Sequence, residues 1–98
     1  MYKPLLLPLA KNDIDEAARW YNNQLSGLGK RFTGEVRSKV NMICENPRAY
    51  AIRYHNTRCT ILKNFPFMIH YNLDEKNKKV IIAAFFHTSL SPEKWMKR

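Results

Sequence analysis

The sequence has few cysteines and no long hydrophobic run, and both features narrow its class. Its two cysteines, Cys44 and Cys59, lie in segments predicted as helix and strand, which disfavours the disulfide framework of a small secreted domain. The apolar runs "LLLPLA" and "VIIAAFF" are far shorter than the ~20 residues of a membrane span. The start "MYKPLLLPLAKND" has no sustained apolar region or small-residue cleavage site. We therefore expect a cytoplasmic protein.

The sequence also lacks the motifs of metal, nucleotide and covalent chemistry. The cysteines have no partner histidines at the spacing of a zinc site. There is no glycine-rich phosphate loop, and neither H-E-x-x-H nor G-x-S-x-G occurs. We expect no metal and no cofactor.

Acidic residues are scarce, because 17 Lys and Arg face 8 Asp and Glu, giving a net charge of +9. The excess is uneven: residues 1–29 carry no net charge, residues 30–63 carry +6 and residues 64–98 carry +3. A positive field attracts polyanions and speeds their encounter, so nucleic acid or an acidic protein is the favoured partner. A basic surface that serves solubility alone is the alternative.

The length of 98 residues and the 45% hydrophobic content predict a single folded domain over residues 1–98. Apolar spacing predicts an opening strand at 2–8, a first helix at 13–25 with Asp13 and Glu16 as a capping box, and a second helix that ends before Pro47. The apolar stripe predicted for the second helix is Leu28, Phe32, Val36, Val40, Ile43 and Cys44. Further strands are predicted at 51–54, 57–64, 67–73 and 79–86, and a last helical turn at 91–95. The segment "VIIAAFF" is apolar on both faces, which is typical of a strand inside a sheet.

Several stretches in this order resemble the RelE/ParE family of bacterial toxins from type II toxin–antitoxin systems. They are "DIDEAARWYNNQLSGLGKRF", "NPRAY", "RCTILKNFPFMIHY" and "VIIAAFFHTSLSPEKW", and the resemblance covers nearly the whole chain. It implies an α+β fold in which an N-terminal strand and an antiparallel helical hairpin pack on a twisted antiparallel β-sheet. It also implies a small basic toxin that a cognate antitoxin neutralises, with operator DNA bound only through the antitoxin complex.

The family divides by target, and the resemblance leaves the target open. ParE-like members act on DNA gyrase, whereas RelE-like members are metal-independent mRNA interferases that cut messenger RNA on the ribosome. Many members have an Arg three positions after the histidine that ends the last strand, but here His87 is followed by Thr88, Ser89 and Leu90. This departure argues against efficient RNA cleavage. The strand entered at Phe65 and Pro66 and the terminal histidine pattern resemble ParE-like members, so the resemblance favours a gyrase inhibitor. The alternatives are a RelE-like endoribonuclease, a detoxified partner that acts in promoter repression, and a free-standing RNA-binding domain.

RNA cleavage without a metal needs a base, an acid and cations for the charged phosphorane. For a nuclease, the candidate catalytic residues are His87, Arg58 and Lys63. For target or antitoxin binding, the candidates are Arg53, Tyr54, Arg58, Lys63 and His70. The structural alternative makes each of them a solvated or hydrogen-bonded residue of the sheet.

The alternation in the predicted strand "FPFMIHY" indicates which of its side chains face the core and which face the opposite side of the sheet. Phe67, Ile69 and Tyr71 are expected in the core, while His70 faces the other side, next to a basic concave working surface. Trp20, Tyr21 and Trp95 are expected to be core anchors.

Overall fold

A computed structural model describes residues 1–97, with side chains to Trp95. In chain order, the elements are β1 (Lys3–Leu6), α1 (Pro8–Gln24), α2 (Leu28–Glu45), β2 (Ile52–Tyr54), β3 (Thr57–Ile61), β4 (Phe67–Asp74) and β5 (Lys79–His87). Short 3-10 turns lie at Pro47–Ala49 and Pro92–Lys97. The strands form one sheet in the order β1-β5-β4-β3-β2. The predicted α+β fold is confirmed.

The sheet is mixed, although a purely antiparallel one was expected. The strands β2 to β5 follow one another as antiparallel neighbours. The first strand runs parallel to β5, with Lys3 opposite Lys79 and Leu6 opposite Ile82. A parallel neighbour needs a long crossover, and the helical hairpin begins that crossover directly after β1. The segment "VIIAAFF" lies in β5, between β1 and β4, so its predicted interior position is confirmed.

The start of α1 differs from the prediction. The helix begins at Pro8, after Leu7 in an extended conformation, and no side chain caps it. Proline suits this position because the first helical N–H groups have no partner within the helix. Asp13 therefore lies inside α1, and its carboxylate accepts a hydrogen bond from the Phe85 N–H at 3.3 Å. The predicted capping box is wrong, and Asp13 joins the helix to β5.

The turn between the helices depends on glycine at two positions. The backbone φ angle of Gly27 is 89°, a conformation that residues other than glycine rarely adopt. Gly29 lies against α1, where an added Cβ would be 2.4 Å from the carbonyl oxygen of Ala18. The absence of a side chain at Gly29 therefore allows the two helices to approach closely.

The core lies between the helical hairpin and one face of the sheet, which we call the helix face. The helices contribute Ala10, Ile14, Ala17, Phe32, Val36, Val40, Ile43 and Cys44, and the strands contribute Ile69, Tyr71, Val80, Ile82 and Phe85. Phe32 is fully buried, and its ring contacts those of Tyr21, Phe65, Phe67 and Phe85. The predicted stripe of α2 is confirmed. Trp20, in contrast, is 59% exposed, so its prediction as a core anchor is wrong.

A β-bulge in β5 changes which of its side chains face the core. The pairs on either side of it are His70 with Ala84 and Tyr71 with Ile82, which leaves Ala83 as the extra residue. Neighbours along a strand point to opposite faces. Phe85 therefore packs in the core, whereas Phe86 is buried on the opposite side, which we call the outer face.

Candidate target-binding surface

A small group of side chains covers the outer face at the end of the sheet near the C-terminal turn. We call it the outer-face cluster, and its members are Arg53, Tyr54, Cys59, His70, Phe86 and Trp95. His70 is at its centre and has no exposed surface. Its ring centroid lies 4.6 Å from that of Trp95 and 5.0 Å from that of Phe86. The 3-10 turn Pro92–Lys97 thus brings an aromatic side chain over His70.

Hydrogen bonds fix one side of the His70 ring. The Tyr54 hydroxyl is 2.9 Å from Nδ1, and the Cys59 thiol is 3.4 Å from the same nitrogen. The opposite nitrogen, Nε2, is buried and has no hydrogen-bond partner among the described residues, and the same is true of Trp95 Nε1. The cluster therefore contains two buried polar groups beside a hydrogen-bonded pair.

Arg53 supplies the positive charge of the cluster. Its guanidinium carbon is 5.6 Å from the centre of the Trp95 ring, the distance of a cation–π contact. Tyr54, the next residue of β2, places its ring 5.6 Å from Trp95. Arg53 is exposed and Tyr54 is half-buried. These two side chains form the accessible part of the cluster.

The cluster is electrically neutral beneath Arg53. Burial, together with the nearby charge of Arg53, lowers the pKa of His70 to about 4, so its imidazole is neutral at neutral pH. Burial raises the pKa of the Cys59 thiol to about 11, although Arg53 acts in the opposite direction. A protonated thiol is a weak nucleophile, which disfavours covalent chemistry at Cys59. Burial also raises the pKa of Tyr54.

His70 lies on the predicted face of the sheet, but it does not form part of the accessible surface. Trp95 and Phe86 cover its ring, and Tyr54 occupies its Nδ1. A partner that binds this face therefore meets Arg53, Tyr54 and Trp95 rather than His70.

Arg58 lies on the helix face, away from the outer-face cluster. It pairs with Tyr71 across β3 and β4, and paired residues share a face. Its guanidinium donates to the carbonyl oxygen of Tyr50 at 2.7 Å, and the Tyr71 hydroxyl donates to the carbonyl oxygen of Pro47 at 2.6 Å. Half-buried Arg58 and buried Tyr71 thus join residues 47–50 to the sheet.

Lys63 is exposed in the loop between β3 and β4, and this loop is attached to α2. The Glu35 carboxylate accepts hydrogen bonds from the backbone N–H and side-chain amide of Asn64, both at 2.8 Å. Lys63 and Lys39 line the same shallow pocket beside α2. The loop therefore presents Lys63 next to the helical hairpin.

His87 ends β5 with a defined hydrogen-bonding pattern. Its Nδ1 accepts from the Ser89 N–H at 3.0 Å and lies 2.7 Å from the Ser89 hydroxyl oxygen. A backbone N–H can only donate, so Nδ1 acts as the acceptor in this contact. The exposed imidazole contacts the Phe67 ring and borders an apolar slot of about 410 Å³ beside Trp20.

The three candidate catalytic residues do not converge. Arg58 pairs with Tyr71, whereas His87 pairs with Phe67, four positions earlier on β4. Four strand residues span about 13 Å, and β4 lies between the two side chains. Lys63 adjoins α2 instead. The arrangement therefore places the cations and the histidine at separate positions.

A family model described as "ParE toxin of type II toxin-antitoxin system, parDE" matches residues 5–91 of the chain. The chain belongs to this family. It is thus a type II toxin–antitoxin toxin of the RelE/ParE superfamily. A comparison with curated protein sequences gives no match.

Solved structures of the superfamily share the fold of this ParE-family toxin at low sequence identity. The isolated E. coli RelE toxin has a TM-score of 0.70 at 14% identity, over 99% of this chain and 95% of that chain. The intact E. coli RelBE toxin–antitoxin complex gives 0.71 at 14% identity, over 92% and 100%. The chromosomal ParDE system from P. aeruginosa gives 0.66 at 14% identity, over 91% and 98%.

Two further properties of this ParE-family chain bear on its chemistry. Within residues 1–97, no helix has the length and apolar character needed to cross a membrane. The same residues contain no group of three or more His, Cys, Asp or Glu side chains arranged to hold a metal ion. Cys44 and Cys59 are both free and buried.

The outer-face cluster includes residues that sequence reasoning missed. Cys59 and Phe86 were not candidates, and Trp95 was expected in the core. The available signal was the pair Phe85 and Phe86, because two buried neighbours on one strand indicate either a strand covered on both faces or a bulge. The position of Trp95 depends on the path of the chain after β5, which strand periodicity does not describe.

Proposed function

We propose that this toxin inhibits bacterial growth by binding DNA gyrase, and that a cognate antitoxin neutralises it. The separation of Arg58, His87 and Lys63 supports binding over RNA cleavage. General acid–base catalysis requires groups within hydrogen-bond reach of the reacting atoms. Arg58 donates to the carbonyl oxygen of Tyr50 and pairs with Tyr71 of β4. His87 lies on β5, on the other side of β4, where it pairs with Phe67. The match to a family described as ParE toxins agrees with this proposal.

The proposed contact surface is the accessible part of the outer-face cluster, Arg53 and Tyr54, with Trp95 behind them. Arg53 and Tyr54 lie in the segment 30–63, which carries +6 of the net charge. Aromatic and arginine side chains are the residues that most often dominate the energy of protein interfaces. Arg53 and Tyr54 therefore have the chemistry of an anchor for a protein target.

The antitoxin is proposed to be acidic in the segment that binds this chain. The RelBE and ParDE structures are described as toxin–antitoxin systems, and the present chain shares their fold. A net charge of +9 would attract an acidic partner and speed its capture. A small gene that overlaps or adjoins the gene for this chain would be the first candidate.

A RelE-like mRNA interferase is the second candidate, and the outer-face cluster is the observation that favours it. Arg53 places a cation near the hydrogen-bonded pair of Tyr54 and His70. These are residue types that can stabilise a phosphorane and transfer protons. In the described conformation, Trp95 covers His70, so this activity would require the C-terminal turn to move.

The decisive experiment adds the purified chain to a gyrase supercoiling assay and, in parallel, to a reconstituted translation reaction whose message is mapped by primer extension. We expect inhibited supercoiling and an intact message. Arg53→Ala should weaken the inhibition, whereas Lys76→Ala, which removes an exposed charge from the turn after β4, should not. Ribosome-dependent cuts with normal supercoiling would replace the gyrase proposal with the nuclease.

A further inference from the structure

A cavity lies at the end of the helix face, where α1 meets the start of β4 and the end of β5. It is the apolar slot of about 410 Å³ that His87 borders. Its volume falls within the roughly 300 to 1,000 Å³ that is usual for ligand pockets. Most of its lining side chains carry flat rings, and the full lining is Ala17, Trp20, Tyr21, Pro66, Phe67 and His87. The apolar slot is therefore suited to a flat ligand.

Trp20 gives the apolar slot an exposed aromatic wall. Its side chain is 59% exposed, although tryptophan is highly buried on average in folded domains. The indole meets the ring of Tyr21 edge-on, with centroids 5.2 Å apart and an angle of 82° between the planes. An exposed aromatic side chain beside an apolar cavity is typical of an interaction site. The indole thus offers an open aromatic surface to a ligand in the slot.

The part of the apolar slot formed by β4 and β5 is held in place by hydrogen bonds. The Thr88 N–H donates to the carbonyl oxygen of Pro66 at 2.8 Å, which joins the end of β5 to the loop before β4. The His87 ring lies at 76° to the ring of Phe67. Both contacts between His87 and Ser89 use Nδ1, so Nε2, on the other side of the ring, is left for a ligand. The slot therefore combines an apolar interior with a polar atom at its border.

The charge of the chain favours an anionic ligand over a neutral one. A net charge of +9 attracts strands of nucleic acid. Exposed Arg19 directly precedes Trp20, and exposed Lys63 lies in the loop that also contains Pro66. Glu16, one turn before Trp20, contributes an opposing charge. A nucleobase on a phosphodiester strand joins a flat aromatic ring to negative charge, so it matches both the slot and its surroundings.

The enclosure of the apolar slot favours an unpaired base. In a duplex, neighbouring bases cover both faces of each base, and its edge is paired. Such a base enters a cavity only after it leaves the stack, which costs free energy. Unpaired bases stack on tryptophan and histidine side chains without that cost. A single strand is therefore the better ligand.

We propose that the apolar slot binds an unpaired nucleobase of a single-stranded nucleic acid. The base packs against the indole of Trp20, and His87 exchanges a hydrogen bond with the edge of the base through Nε2. The exposed cations Arg19 and Lys63 attract the phosphates of the strand. Because the slot contacts the base, DNA and RNA strands bind alike. This site goes beyond gyrase binding, which we assign to the outer-face cluster, and it does not depend on the gyrase target.

The test compares two dye-labelled oligonucleotides that carry the same number of phosphates. One is a single strand of about eight deoxyadenosines, and the other is the same sugar–phosphate strand without bases. Fluorescence anisotropy measures the binding of each strand to the purified chain. We expect the strand with bases to bind at least about fivefold more tightly. Added salt should weaken both strands in parallel and leave their ratio unchanged, because the two strands release the same counterions.

Variants then locate the contact. Trp20→Ala should weaken binding of the strand with bases by at least about fivefold and leave the abasic strand unaffected. Trp20→Phe retains an aromatic ring and should restore most of the affinity. His87→Ala should weaken binding of the strand with bases by about threefold. The matched control is Leu25→Ala, which removes a side chain that is 62% exposed on the same hairpin and should bind like the unaltered chain.

NMR of the isotope-labelled chain reports which site the base occupies. The indole N–H resonance of Trp20 should shift when the strand with bases is added, whereas that of Trp95 should not. Equal binding of the two strands would overturn the proposal, because it would show that charge alone attracts them.

Three further results would also overturn the proposal. They are equal binding of single-stranded and duplex DNA, a preference of more than about tenfold for RNA of the same sequence, and unchanged affinity of Trp20→Ala. Inhibition of gyrase by a chain that binds both strands equally would refute the base-binding slot and leave the proposed function intact. Base-dependent binding without gyrase inhibition would refute the proposed target and support the slot.

Discussion

Both faces of the sheet contain buried side chains, but the chemical character of those side chains differs. On the helix face, apolar side chains from two helices, from β4 and β5 and from the loop before β4 form one continuous core around Phe32. On the outer face, one 3-10 turn brings Trp95 over His70, and the cluster contains a neutral imidazole, a thiol and two buried nitrogens that have no hydrogen-bond partner among the described residues. Burial on the first face removes apolar surface from water, whereas burial on the second also desolvates polar atoms. We therefore expect the helix face to contribute most of the stability of the domain. We expect the outer face to make that stability depend on pH.

The largest expected effect comes from breaking the helix face. Phe32→Ala should lower the free energy of unfolding by about 3 to 5 kcal/mol, because Phe32 is fully buried and packs against four other aromatic rings. Urea denaturation followed by circular dichroism measures the change. Trp20→Ala is the matched control, since Trp20 is 59% exposed and should cost less than about 1 kcal/mol. Equal losses for the two variants would show that the hairpin packs on the sheet in a different orientation.

Acidification should test the outer face specifically. The pKa of His70 is lowered to about 4 in the folded chain, below its ordinary value of about 6.5. Between those values, the unfolded chain binds a proton on His70 that the folded chain does not bind, so stability falls as the pH falls. The expected loss from this group is about 2 kcal/mol between about pH 7 and about pH 5.

The measurement compares the pH dependence of urea denaturation for the unaltered chain and for His70→Gln. Other groups titrate equally in both proteins, so their difference isolates His70. The variant should lose about 2 kcal/mol less than the unaltered chain over the same pH interval. Identical pH profiles would mean that the imidazole is accessible to protons in the folded state, which would contradict its position beneath Trp95.

This contrast between the faces also separates what the sequence predicts from what it does not. Spacing at the helical period predicted the α2 stripe from Leu28 to Cys44, and strand alternation predicted Ile69 and Tyr71 in the core. Both patterns follow from local backbone geometry, which repeats along an element. The start of α1 at Pro8 was missed because Asp13 and Glu16 resemble a cap, although the Asp13 carboxylate bonds to β5.

The candidate site was less predictable, because it depends on contacts between distant segments. Alternation correctly placed His70 on the face opposite the core, but its burial depends on Trp95, 25 positions later in the chain. The positions of Arg58 and Tyr71 follow from cross-strand register, which alternation within a single strand does not determine. The parallel pairing of β1 with β5 joins the two ends of the domain in the same way. Periodicity within single segments therefore did not determine these features, because they depend on how the strands pair.

The smallest expected effect concerns Arg53, whose removal should separate the two contributions that hold down the pKa of His70. Arg53→Ala eliminates the cation–π contact with Trp95, for a loss of about 0.5 to 1 kcal/mol in stability. It also removes a positive charge that disfavours protonation of His70, while the burial of the ring remains. The pKa of His70 should therefore rise but stay below its ordinary value. Titration of the imidazole by NMR measures the shift, with Arg48→Ala as the control because Arg48 pairs with Glu75 instead. A return of the pKa to its ordinary value would mean that Arg53 also holds Trp95 in place over His70, and no change would mean that burial alone sets the protonation of this face.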